Sequence, residues 1–183
     1  MTVVYLGNQS FSTKEALLEY AQIALDKSLV AVDVETISLE NTQPIGLSVA
    51  ISPTEAFYFS MYPEMEESFP WDIIQNPNIS KIFHNSLFDL TALDDYEPDV
   101  TNIEDTMIIA MLLNYPMKLA ELAELVGIEA HSMSEYLNKP KMTTLDLAPE
   151  LVARKCCQDS MAAFAVYELL KHQINIDYYN IEK

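Results

Sequence analysis

One arginine, Arg154, and nine lysines are all the fixed positive charge the chain carries, against 28 aspartates and glutamates, for a formal net charge of −18. A protein that grips nucleic acid unaided normally shows a basic footprint, so this sequence excludes a self-sufficient strand-binding surface. Cysteine is equally scarce. Cys156 and Cys157 are adjacent, and neighbours on a helix point in different directions, which excludes a disulfide framework and a cysteine-based zinc site. Neither an apolar run of membrane-spanning length nor a basic-then-apolar leader pattern is present. The sequence also has no internal repeat, low-complexity segment or clear linker, and its 183 residues suit a single domain. Half of them are hydrophobic, which argues for a sizeable core and against disorder. A soluble intracellular protein is expected, with no membrane partner.

The pattern predicts strands first, interleaved with helices, and then helices. Thr2 to Leu6 reads as a strand, and Ser12 or Thr13 can cap a helix to about Lys27. Leu29 to Val34 is apolar and β-branched, as in a strand buried on both faces. Ile45–Ile51 and Ala56–Phe59 read as a hairpin turning at Ser52-Pro53-Thr54-Glu55. A short helix around Trp71–Ile74, a strand at Lys81–Phe83 and a helix over Leu87–Leu93 follow. Helices over Thr106–Leu113, Lys118–Val126, Ser134–Leu137 and about Ala148–Ile174 complete the chain, with Gly127 suited to a helix C-terminus. This order predicts an α/β domain: a central mixed sheet flanked by helices, with a helical second half.

Four acidic residues sit where a core does not ordinarily take them. Asp33 interrupts the apolar run Leu29-Val30-Ala31-Val32, and Glu35 lies two places on, so the two carboxylates share one strand face. Their repulsion needs a cation or a proton between them, and Mg²⁺ or Mn²⁺ favour such oxygen donors. Taken alone, the pair equally fits a polar strand end turning into solvent. Asp89 falls in the first turns of a helix that starts straight after a strand, where an acid can be only a dipole partner. Asp159 lies mid-helix among Cys156, Cys157, Met161, Ala162 and Ala163, and lone buried acids are rare unless paired or metal-bound.

Three motifs in order give the chain its resemblance: Val32-Asp33-Val34-Glu35-Thr36 with Leu39 beyond it, His84-Asn85-x-x-Phe88-Asp89 followed by Asp105-Thr106, and Asp159 on the long last helix. The chain resembles the 3′→5′ proofreading exonuclease domain of bacterial and phage family A DNA polymerases, within the ribonuclease-H-like superfamily of four acidic residues. The Leu-rich stretch Lys118–Ala123 is similar too. The resemblance runs from Leu29 onward and implies one exonuclease domain over residues 1–183, a fragment or subunit of a larger polymerase in the cytoplasm of a bacterial or phage-infected cell. It further implies two divalent ions, Mg²⁺ or Mn²⁺. Asp33, Glu35 and Asp159 would hold one, and Asp33 and Asp89 the other. Thr36, Leu39, Asn85 and Phe88 would contact the 3′ end of single-stranded DNA, Leu39 as an apolar wedge, and nucleoside 5′-monophosphates would be released. For Asp105 a helix cap is the expected role, and for His84 a structural one.

One position departs from the family pattern. A water-orienting tyrosine would stand four residues before Asp159, or a histidine five before; here those positions are Lys155 and Arg154. Lys155 is one helical turn from Asp159, within reach of an i,i+4 ion pair or of the site itself. Three readings follow: Lys155 positions water or phosphate, the site is slow, or another group substitutes. Beside the proofreading reading stand a catalytically weak exonuclease-like interaction module and an RNA 3′ exonuclease of ribonuclease D type.

Overall fold

The computed structural model describes residues 3–6, 9–11, 14–63, 65, 69–128, 130, 132–137 and 140–174. In chain order the elements are β1 (Val3–Leu6), β2 (Gln9–Phe11), α1 (Lys14–Leu25), β3 (Leu29–Thr36), β4 (Pro44–Ser52), β5 (Glu55–Ser60), α2 (Trp71–Ile74), β6 (Ser80–Phe83), α3 (Ser86–Leu93), β7 (Ile103–Asp105), α4 (Thr106–Leu112), α5 (Leu119–Leu125), α6 (Met133–Tyr136) and α7 (Pro149–Leu170). The strands form one mixed sheet in the order β2-β1-β5-β4-β3-β6-β7. β3 lies inside it, antiparallel to β4 and parallel to β6, and β7 continues the parallel side.

The two sheet faces divide the apolar residues by period. Val30, Val32 and Val34 of β3 join Leu47, Val49, Phe57 and Phe59 on the face covered by α1, α2 and α3. Ala31, Ala50 and Ala56 face α7, packing against Ala153, Cys156 and Cys157. Those small side chains let a helix approach the strands closely. Gly46 extends the close packing: it pairs with Glu35 across β3 and β4, and a Cβ there would stand 1.8 Å from the Tyr58 hydroxyl oxygen.

Nearly every element expected from the sequence is present within a few residues. The hairpin turns where predicted, with Ser52 opposite Glu55, and Gly127 follows α5 at φ +70°, the left-handed geometry that glycine adopts without strain. The last helix ends at Leu170 rather than near Ile174. Two further strands, β2 and β7, add to the expected set. Each has three residues, too short to show a period. Thr2 and the proposed caps Ser12 and Thr13 lie outside the described residues.

Candidate active site

The acidic residues converge where β3 ends. Asp33 and Glu35 follow Ala31 on the α7 face, by strand alternation. α7 crosses that face and delivers Lys155 and Asp159, one turn apart. From the far side α3 supplies Asp89, whose Oδ1 accepts a hydrogen bond from the Val34 amide at 2.9 Å. The four acids named from the sequence and Lys155 are therefore brought together.

Their centre is an ion-pair triad. The Lys155 ammonium donates to Glu35 Oε1 at 3.0 Å and to Asp159 Oδ2 at 2.5 Å. Lys155 is 6% exposed and Glu35 7%, so both charges are largely withdrawn from water, which they tolerate only because they are paired. Burial alone would depress the lysine pKa, but the carboxylates of Glu35, Asp159 and Asp33 override it and hold the ammonium charged well above its usual range. Arg154, the neighbouring residue on α7, is exposed.

Asp33 differs from its neighbours. Its Oδ2 is closed off from solvent and has no hydrogen-bond partner among the described residues. Burial, then the charges of Asp159 and Glu35, push its pKa well up. Burial likewise raises Asp89 well above the usual carboxylate range, against the opposing Val34 hydrogen bond. A buried carboxylate oxygen without a donor needs a cation or a proton. The donor set thus fits a divalent ion at Asp33 with Glu35 beside it; Asp89 lines the same cleft without being part of that close cluster. Cys156 Sγ also lies within 4.8 Å of Asp33 and Glu35 oxygens, but burial raises its thiol pKa well above normal and it donates to the Asp33 carbonyl at 3.3 Å. It is a packing thiol, and a hard cation prefers the oxygens.

These raised values make metal binding compete with protons. A carboxylate whose folded pKa is raised stabilises the fold below its unfolded pKa and loses that contribution as pH rises through the folded value. The metal-free chain is therefore expected to lose stability on alkalinisation as Asp33 and Asp89 ionise, and added Mn²⁺ to restore more as pH rises. Thermal unfolding with EDTA and with Mn²⁺ at about pH 5, just above the unfolded carboxylate value, and at about pH 7 checks this: a metal-induced rise in Tm that shrinks at the higher pH contradicts it.

The loop from β6 to α3 is held by Asp105. Its Oδ1 accepts from the Asn85 amide at 3.1 Å and its Oδ2 from the Ser86 amide and hydroxyl at 2.7 and 2.8 Å. The same side chain caps α4 through the Met107 and Ile108 amides. The expected capping role is thus present, and Asp105 in addition fixes the turn that presents Asn85, Phe88 and Asp89. Asn85 has φ 69° and ψ 57°, a left-handed conformation that asparagine tolerates better than most residues. His84, for which a structural role is expected, is held at both ring nitrogens, Nε2 donating to the Met117 carbonyl and Nδ1 meeting the Thr106 hydroxyl, both at 2.9 Å, and it also lines the cleft over Asp33 and Glu35. Asp105→Ala would leave several buried donors unmet. It is expected to cost about 2–4 kcal/mol in urea unfolding, combining a lost cap with orphaned donors, and to lower activity because Asp89 loses its anchored turn.

A cleft of about 200 Å³, open to solvent, lies over Asp33, Glu35 and Lys155, and Asp159 lines the adjoining recess with Lys155. Thr36, Leu39, Asn85 and Phe88, expected at the substrate, all line it. Leu39 is 81% exposed, an apolar side chain projecting at the rim. Thr36 donates its hydroxyl to the Ser38 carbonyl and so shapes the turn after β3. Met133, Leu137 and Thr144 also line the cleft, and none of them stands out in the sequence. The Thr144 amide donates to the Ile37 carbonyl at 3.0 Å, a contact that no local pattern signals.

Comparison with known proteins now decides the family. The sequence model of a 3′-5′ exonuclease family matches residues 8–166. The chain belongs to the 3′-5′ exonuclease family. Members of this exonuclease family generally use divalent metal ions, in keeping with the carboxylate cluster. No curated protein matches the chain. Among solved structures, the catalytic core of RRP6 from Trypanosoma brucei is similar at 23% identity and a TM-score of 0.64, over 88% of this chain and 45% of that one. Brucella melitensis NrnC is similar at 16% identity and TM-score 0.68, over 87% and 79%. Escherichia coli RNase D, an exoribonuclease involved in structured RNA processing, is similar at 18% and 0.66, over 89% and 44%. At these identities the likeness shows the shared exonuclease fold. The chain spans less than half the length of the RRP6 and RNase D structures. No helix among the described residues is long and apolar enough to cross a membrane.

Proposed function

We propose that this chain is a metal-dependent 3′→5′ exonuclease that removes nucleoside 5′-monophosphates from the 3′ end of single-stranded DNA, proofreading for a DNA polymerase. The observation that carries the catalytic reading is the Asp33 oxygen, buried without a partner among the described residues, in one cleft with Glu35 and Asp89, while Asp159 is held beside them by Lys155. Asp33, Asp89 and Glu35 would hold Mg²⁺ or Mn²⁺. When bound, such an ion polarises the scissile phosphate and lowers the pKa of an attacking water. Asn85 and Phe88 would bear on the last nucleotides, and Leu39 would wedge against the terminal base. Asp105 keeps the Asn85–Asp89 segment in place, which matters because small misplacements of reacting groups cost rate steeply.

The surface charge argues about delivery. Of the 10 lysines and arginines, Lys81 and Lys155 are buried, leaving little to attract a phosphate backbone. A polymerase domain or partner subunit that holds the duplex and passes on a frayed 3′ end supplies what this surface lacks, so the isolated chain should degrade free strands slowly.

A second reading keeps the chemistry and changes the sugar. It is favoured by the likeness to E. coli RNase D. Matched DNA and RNA oligomers with the same 3′ sequence decide between them, because the 2′-hydroxyl is the only difference presented. Faster Mn²⁺-dependent loss of the DNA 3′ end is expected. RNA turnover that equals or exceeds it replaces proofreading with an RNA substrate.

A further inference from the structure

A two-ion site asks Glu35 and Asp159 to flank a metal, yet the space between them already holds a charge. The Lys155 ammonium reaches both, Glu35 Oε1 at 3.0 Å and Asp159 Oδ2 at 2.5 Å, from a position 120 residues from Glu35 in sequence. We propose that the Lys155 ammonium is itself one of the two cations of this site, standing between Glu35 and Asp159 in place of a metal ion and leaving Asp33 and Asp89 a single divalent ion.

Three observations carry it. The first is steric. A Mg²⁺ ion bridging Glu35 and Asp159 needs oxygens at about 2.0–2.1 Å, in the volume the ammonium fills, and two cations do not share it. The second is where negative charge stays unmet. Glu35 and Asp159 are paired, whereas Asp33 Oδ2 is buried without a partner among the described residues. The unmet demand for a cation is therefore at Asp33, away from the ammonium's two hydrogen bonds. The third is charge. One divalent ion and the ammonium bring three positive charges to the four carboxylates, close to balance. The lysine gives a positive charge that is independent of metal concentration, and its third hydrogen remains for a phosphate oxygen in the cleft that it lines. The proposal rests on the exonuclease reading above and specifies the cations of that same site.

Mn²⁺ binding to the full chain tests it, followed by calorimetric titration and electron paramagnetic resonance. The native chain is expected to take one tightly bound Mn²⁺ with the six-line spectrum of an isolated ion. Lys155→Met should take two, with a spectrum broadened by coupling between neighbouring ions. Because Lys155→Met is expected to be destabilised without metal, Asp159→Asn serves as the second variant. It keeps the ammonium, and should weaken Mn²⁺ binding far less than Asp33→Asn does. Hydrolysis should rise with the first power of Mn²⁺ concentration. A coupled pair in the native chain overturns the proposal and leaves the exonuclease reading intact. So does a single ion in Lys155→Met, or loss of tight Mn²⁺ in Asp159→Asn. Absence of any tight Mn²⁺ from the native chain overturns both.

Discussion

Lys155→Met is expected to destabilise the metal-free protein by about 3–5 kcal/mol, the range for removing one partner of a buried ion pair. The cause is what remains. Glu35 and Asp159 would face each other without the ammonium that now donates to both, in a setting where Glu35 is buried and Lys155 occupies the space. Methionine keeps most of the side-chain volume, so packing is little changed and the loss reports charge. In a chain of this size the shift corresponds to a fall in Tm of about 10 °C. Saturating Mn²⁺ should restore much of it by supplying the missing positive charge. Differential scanning calorimetry with EDTA and with Mn²⁺ reads both effects. A Tm unchanged in EDTA would mean that the triad contributes nothing to the fold.

Asp33→Asn should have the opposite signature. Metal-dependent release of mononucleotides from a 3′-labelled single strand is expected to fall by about 10²–10³-fold or more, the scale seen when one electrostatic group of an active site is lost. Stability without metal should rise, by about 1–3 kcal/mol, because a buried carboxylate oxygen with no donor is replaced by a neutral amide. Strain of this kind is held at functional sites because function needs it. A variant that loses activity and stability together would make Asp33 a structural residue. A variant that keeps full activity would move the chemistry elsewhere or reveal a contaminating nuclease.

The two variants address different halves of the site. Lys155 and its partners carry a cation already built into the chain; Asp33 and Asp89 are carboxylates whose pKa values burial pushes well above the usual range. The resemblance noted in the sequence implies a tyrosine or histidine near Asp159, neither of which carries the fixed ammonium charge of a lysine. Lysine in that position takes two of the carboxylates.

Much of the site is legible in the amino-acid sequence alone. Strand alternation puts Asp33 and Glu35 on one face, and helical spacing puts Lys155 within reach of Asp159, because both are consequences of backbone geometry a few residues long. The apolar runs mark β3, β4, β5 and α7, and Asp105 is readable as a cap from its place before a helical segment. The three-residue strands β2 and β7 are not legible, since a period needs more residues than they have. Only the tertiary structure decides that Lys155 also binds Glu35. That contact exists because Ala31, Ala50 and Ala56 let α7 lie close over β3, and separation along the chain carries no information about such an approach. The same holds for Asp105, whose carboxylate reaches back 20 residues to the Asn85 amide, and for the cleft lining of Met133, Leu137 and Thr144. The sequence determined which residues could bind a cation; the packing of one helix on one sheet decided that two of them, Glu35 and Asp159, are paired with a lysine.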